Sequence, residues 1–278
     1  MINSHWFRIL CVFLAVITTT QARSSLLGDE VHGCTDLSGC TIPLTNGGAL
    51  NSSGIASAIV TDPGVEFSTG YSIVDSADLT ADTLTISIKN VSGVIGLSHN
   101  EVWAFDNLNW SGTHSKITGL VEQPGGNLNV VSTDFGDDWI VIHFKAAYFS
   151  GLSGQEYKTT FKINGALTPT IDIDPNKKSE NVIDLTKGSN LKVAILGDEV
   201  FDALQVNPDT VKFGPGLANP IRTNGQDYNH DGFSDLILTF NLDETGIACG
   251  DVSETLIGET FNGESLISSD DISVQPCP

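Results

Sequence analysis

The sequence predicts an all-β protein, built as two antiparallel β-sandwich-like domains behind a cleaved signal peptide. Three observations carry that expectation. Short runs alternate apolar and polar residues with the period of two that a half-buried strand requires. Clusters of Gly, Asn, Asp and Ser separate these runs at fairly regular spacing, as turns between strands do. No window shows a sustained helical period with capping residues at its ends.

Along the chain, residues 1–22 read as a secretory signal. Arg8 supplies the positive start, and Ile9 to Ile17 an apolar core. That core is too short to cross a bilayer, which needs about 20 residues. Thr20-Gln21-Ala22 fits a small-x-small cleavage site. No later stretch reads as membrane-spanning, so the expected location is secreted, with no membrane insertion of the mature chain.

Residues 23–165 are expected to form the first β-domain, after an irregular entry containing Gly and Cys. Thr83 to Lys89 is its cleanest strand, with Leu84, Ile86 and Ile88 on one face. Trp139 to Phe144 reads as a buried strand, and Tyr157, Phe161 and Ile163 mark another. Gly165 and Pro169 break the pattern. Residues 166–278 form the second β-domain, with strands expected at Ile171–Asp174, Lys192–Leu196, Thr210–Phe213, Leu236–Leu242 and Ile272–Val274. One short helix is expected around Asp198 to Leu204.

Removing the signal leaves Cys34, Cys40, Cys249 and Cys277. An even count in a secreted chain points to disulfides. Three pairings exist, of which proximity favours Cys34–Cys40 with Cys249–Cys277. A zinc site is the alternative, but no pair has the Cys-x-x-Cys spacing. The balance of 34 acidic to 13 basic residues makes nucleic acid and anionic lipid poor partners.

One stretch carries a chemical mechanism: Asp227-Tyr228-Asn229-His230-Asp231-Gly232-Phe233-Ser234-Asp235. Oxygen side chains fall on alternate positions, and a glycine sits where a tight loop must turn. Calcium takes six to eight oxygens, and this spacing offers several from one segment. The bland reading is an Asp/Asn/Gly turn, residues that favour turns for backbone reasons alone. Leu238 stands where an EF-hand has its bidentate Glu, and an alternating strand follows instead of a helix. Asp172, Asp174, Asp270 and Asp271 are candidates for a further ligand from outside the loop.

The loop resembles the calcium loops of FG-GAP repeats, which read Asp-x-Asn-x-Asp-Gly-x-x-Asp before an apolar strand. That resemblance implies side-chain ligation by Asp227, Asn229, Asp231 and Asp235, with the Phe233 carbonyl as a backbone ligand. Residues 171–275 resemble a recurrent domain of bacterial secreted proteins whose function is not established. Val193–Gly197, Asn207–Pro215, Asp227–Phe240, Thr245–Asp251 and Leu256–Thr260 carry the likeness, in that sequence. The N-terminal half resembles exported ectodomains of the PEP-CTERM type, through Leu26–Asp29 and Val102–Trp110. It lacks the sorting tail of those proteins.

Catalytic signatures are missing from the sequence. There is no Gly-x-Ser-x-Gly elbow, zinc-protease helix or phosphate-cradling loop. Asp137-Asp138 and Asp270-Asp271 are adjacent pairs, and neighbours on a strand point to opposite faces. No residue is assigned as catalytic. Trp103, Phe105 and Trp110 form the densest aromatic cluster. Exposed, Trp103 and Trp110 would stack on sugar rings while Asp106, Asn107 and Asn109 bond hydroxyls; buried, the rings are core. The expected function is a secreted, non-enzymatic calcium-binding module, adhesive or matrix-associated. Its partner would be an extracellular polysaccharide or a cell-surface protein. A carbohydrate-binding module using Trp103, Asp106 and Trp110 is the alternative, and a polysaccharide-active enzyme the third reading.

Overall fold

The computed structural model describes residues 25–35, 56–70, 73–93, 95–97, 100–110, 115–146, 148–175, 181–187 and 190–277. The expected signal peptide, Cys40 and most of the irregular entry lie outside the described residues. The fold is nearly all β. In the first half run β1 (Glu30–Thr35), β2 (Ala56–Ile59), β3 (Phe67–Gly70), β4 (Ile73–Leu79), β5 (Thr83–Asn90), β6 (Ile95–Leu97), β7 (Glu101–Asp106), β8 (Ser115–Glu122), β9 (Val130–Phe135), β10 (Ile140–Phe144), β11 (Tyr148–Ser150) and β12 (Glu156–Leu167). The second half adds β13 (Ile171–Ile173), β14 (Val182–Asp184), β15 (Asn190–Ile195), β16 (Val206–Phe213), β17 (Pro220–Gln226), β18 (Asp235–Asn241), β19 (Ser253–Thr260), β20 (Ser265–Asp271) and β21 (Ser273–Gln275).

Strand β5 shows how the pattern becomes structure. Leu84, Ile86 and Ile88 are fully buried, while Thr85 on the other face bonds Thr160 of β12 at 2.9 Å. These side chains close one hydrophobic cluster between two sheets. A sheet ordered β2-β1-β7-β10-β9 supplies Val31, Trp103, Phe105, Ile140 and Ile142; the facing sheet supplies Leu84, Ile86, Phe161 and Ile163. A second cluster lies between a sheet ordered β13-β15-β18-β17 and strands β16, β19 and β20. Val193, Ile195, Leu238 and Phe240 meet Val211, Phe213, Leu256 and Leu266 there.

The facing sheets of the two clusters are one sheet. Its strands run β16-β19-β20-β12-β5-β4-β3, with β8 also paired to β12. The join is a parallel contact, Leu167 of β12 with Leu266 of β20. A second parallel pair, β14 with β21, ties down residues 273–275. The all-β expectation with antiparallel sheets holds; these two parallel contacts join strands distant in sequence, which no local pattern specifies.

Two local expectations are corrected. The short helix around Asp198–Leu204 reduces to a 3₁₀ turn, Ala203–Gln205, capped by Asp202. Strand β18 stops at Asn241 rather than Leu242. Asn241 caps a one-turn helix α1 (Leu242–Thr245) by accepting the Asp243 N–H, and Gly246 ends it at φ 76°.

Candidate functional site

The segment 227–234 is the tip of the hairpin joining β17 to β18, with Gln226 paired to Asp235 at its base. Asp235 is fully buried and anchors the tip. Its Oδ1 accepts the Gly197 N–H at 3.0 Å; its Oδ2 accepts the Tyr228 N–H at 2.7 Å and the Asn229 N–H at 3.4 Å. Gly197 follows β15, and a Cβ there would collide with the Ser234 carbonyl oxygen. A glycine at 197 thus lets the tip lie against the end of β15.

Three further bonds shape the exposed turn. Asp227 Oδ2 accepts the Gly232 N–H at 3.1 Å, Asn229 Oδ1 the Asp231 N–H at 3.1 Å, and Asp231 Oδ1 the Phe233 N–H at 2.9 Å. Asn229 Nδ2 also donates to Asp231 Oδ2 at 2.7 Å. Gly232 sits at φ 98°, a left-handed conformation that costs a side-chain residue about 1–2 kcal/mol. This arrangement leaves one conspicuous atom. Asp227 Oδ1 is buried and accepts no hydrogen bond among the described residues. No cation pairs with Asp227, Asp231 or Asp235 among those residues either.

Against a preformed cage, no group of three or more His, Cys, Asp or Glu side chains is gathered for a metal among the described residues. The oxygens of Asp235 are turned to backbone amides, and Phe233 contributes its N–H to the turn. The proposed outside ligands are gathered elsewhere. Asp172 pairs with Ala194, so β15 separates it from β18. Asp270 Oδ2 accepts the Ile173 N–H at 3.0 Å and Asn181 Nδ2 at 2.7 Å. Burial pushes the Asp172 carboxyl up, and the charges of Asp270 and Asp174 add to it.

The aromatic cluster is core, which overturns its use as an exposed platform. Trp103 is 1% and Trp110 2% exposed. Trp103 and Phe105 stack on β7 with centroids 5.8 Å apart, as two residues on one strand face do. Trp110 stands beyond the strand at φ 49°, where strand periodicity places nothing. Asp106 is buried and bonds His32 Nδ1 at 2.8 Å. Asn107 Nδ2 donates to the Glu30 carbonyl, and Asn109 Nδ2 to Asn107 Oδ1 at 2.6 Å.

The cysteines divide. Cys249 and Cys277 form a disulfide with Cα atoms 5.5 Å apart. Cys34 is a buried disulfide cysteine, and its expected partner Cys40 lies outside the described residues. Sequence reasoning missed one titratable group. Glu254 of β19 is buried, lies opposite Asp270 on β20, and forms a hydrogen bond with Asp251. Burial chiefly, then the Asp251 charge and that bond, push its carboxyl up to about 7.

Among the described residues, no helix is long and apolar enough to cross a membrane. No protein-family model matches the chain, and no curated protein sequence does. Among solved structures, a polysaccharide lyase matches at 10% identity with a TM-score of 0.26. The match covers 90% of this chain and 40% of the lyase, so the chain spans less than half of that enzyme. A likeness at this level establishes neither a shared fold nor a shared activity.

Proposed function

We propose that the chain is a secreted, non-catalytic module that binds calcium at the 227–235 hairpin tip and acts through its surface in adhesion or matrix association. One observation carries the reading: Asp227 Oδ1 is buried without a donor among the described residues, in a turn whose other oxygens are set at alternate positions by backbone amides. A buried carboxylate oxygen without a partner is costly, and a cation would relieve it. Asp227, Asn229 and Asp231 would hold the ion through side chains and Phe233 through its carbonyl, with Asp235 fixing the base of the turn. When bound, calcium supplies charge neutralisation for a segment that carries three carboxylates and, among the described residues, no paired cation. Its value to the fold is then rigidity of the β17–β18 hairpin. Secretion is supported by the signal-like start and the Cys249–Cys277 disulfide.

Thermal unfolding tests this. An ion held with a Kd in the extracellular range of about 10⁻⁴–10⁻³ M stabilises by about 1.4 kcal/mol when present at tenfold that Kd. The Tm should therefore rise by a few degrees in calcium over EDTA. Asp231→Ala should lose most of the rise while remaining folded. Superimposable melting curves in calcium and EDTA would reject the reading.

A further inference from the structure

A cleft of about 450 Å³ opens where the two halves of the chain meet. One wall is β12 from Lys162 to Gly165, with Asp82 from the β4–β5 turn beside it. The opposite wall is the tip of the β19–β20 hairpin, including Asn262 and Glu264. The Leu167–Leu266 contact joins the two walls into one sheet, so the cleft is built into the scaffold rather than left between loose parts. Its volume is in the range of about 300–1,000 Å³ typical of small-molecule sites, and junctions between halves are where such sites concentrate.

The lining is specific in kind. Pairing of β12 with β8 slips between Asn164 and Gly165, a bulge of the sort that re-aims side chains beside functional sites. Trp110 lies under Gly165, where a Cβ would come 2.9 Å from the indole ring. The ring is buried, so it offers no face for stacking. Recognition falls to hydrogen bonds. Asn164 and Asn262 both line the cleft, and an amide side chain carries donor and acceptor together. Lys162 is paired with Asp82, so its charge is already matched, and Glu264 leaves the lining net negative. An anionic ligand meets that excess with no unmatched cation to receive it. A neutral ligand dense in hydroxyls, each of which both donates and accepts, suits amide side chains that do the same.

We propose that this cleft binds a neutral saccharide unit, through Asn164 and Asn262, independently of calcium at the hairpin tip. The experiment is an NMR titration of the folded chain with glucose, galactose, mannose, N-acetylglucosamine and cellobiose, with glucuronate and putrescine as charged probes. At least one neutral sugar should give saturable shifts at the Asn164 and Asn262 side-chain amides, in EDTA as in calcium. Asn164→Ala and Asn262→Ala, both surface changes whose folding is checked by melting, should each weaken that affinity about tenfold, the worth of roughly one hydrogen bond. Glu264→Gln should narrow the margin by which the neutral sugar beats glucuronate. Silence from every neutral sugar at these residues overturns the proposal, as does saturation by glucuronate or putrescine alone. Because binding is read in EDTA, either result leaves the calcium reading to its own test.

Discussion

Gly197 and Gly232 hold the same hairpin tip for different reasons. Gly232 is a matter of backbone angle: at φ 98° it sits in open space, and a methyl group there touches nothing. Gly197 is a matter of room, since the Ser234 carbonyl occupies the place of its Cβ and its N–H is bonded to buried Asp235. Gly232→Ala should cost about 1–2 kcal/mol of conformational strain. Gly197→Ala should cost more, because the tip must leave β15 or lose the Asp235 bond. Urea unfolding of the two variants checks this, and equal midpoints would show that the tip is not fastened at Gly197. The residue spacing of the loop was legible in the sequence, because oxygen and glycine positions within nine residues are a local property. Which oxygens would be taken by amides was not, since Gly197 lies in the loop that follows a different strand. The same holds for the indoles. Trp103 follows from the period of β7, whereas Trp110 lies past the strand end, where only the assembled core decides its burial.

At the scale of elements, strand β19 carries a group that ties stability to pH. Glu254 faces Asp251 on its own approach and Asp270 across the pair, with no basic side chain bonded to it among the described residues. Its carboxyl holds a proton up to about 7, against an ordinary value of 4.5. The folded state therefore binds more protons than the unfolded chain in that window. The Glu254 contribution is complete below pH 4.5 and is lost as pH rises to about 7. Glu254→Gln, which cannot ionise, should flatten the fall in Tm across that window and raise the Tm above it. A parallel profile for the variant would show that Glu254 titrates as an ordinary surface acid. This pair was invisible to pattern reading, because Glu254 on an alternating strand looks like any solvated acid. The helix α1 was better signposted. Asn241 bonded to Glu244 at 3.1 Å, with Gly246 after it, is a cap signature that the strand pattern of 236–242 obscured.

The whole molecule is held by one sheet that serves two cores. Short alternating runs made the all-β class plain, and the two clusters separate between Ile163 and Leu167. The β12–β20 join was not readable, since a parallel contact between residues about a hundred positions apart leaves no local mark. The C-terminal segment is fastened separately, by the β14–β21 pair and by Cys249–Cys277. Closing a loop of 28 residues is worth about 3.5 kcal/mol on the chain-entropy account. Cys277→Ser should therefore lower the unfolding free energy by about that amount in urea. A loss below about 0.5 kcal/mol would mean that the β14–β21 pair alone secures the segment.

The sequence carries 34 acidic residues against 13 basic, and the hairpin tip gathers three carboxylates with no ion pair to them among the described residues. Whether a divalent ion completes that tip is best measured by isothermal titration calorimetry of the folded chain with calcium chloride. Calcium bound there predicts heat that saturates at one ion per chain, with a Kd of about 10⁻⁴–10⁻³ M. A titration indistinguishable from dilution, on protein shown to be folded, would contradict it.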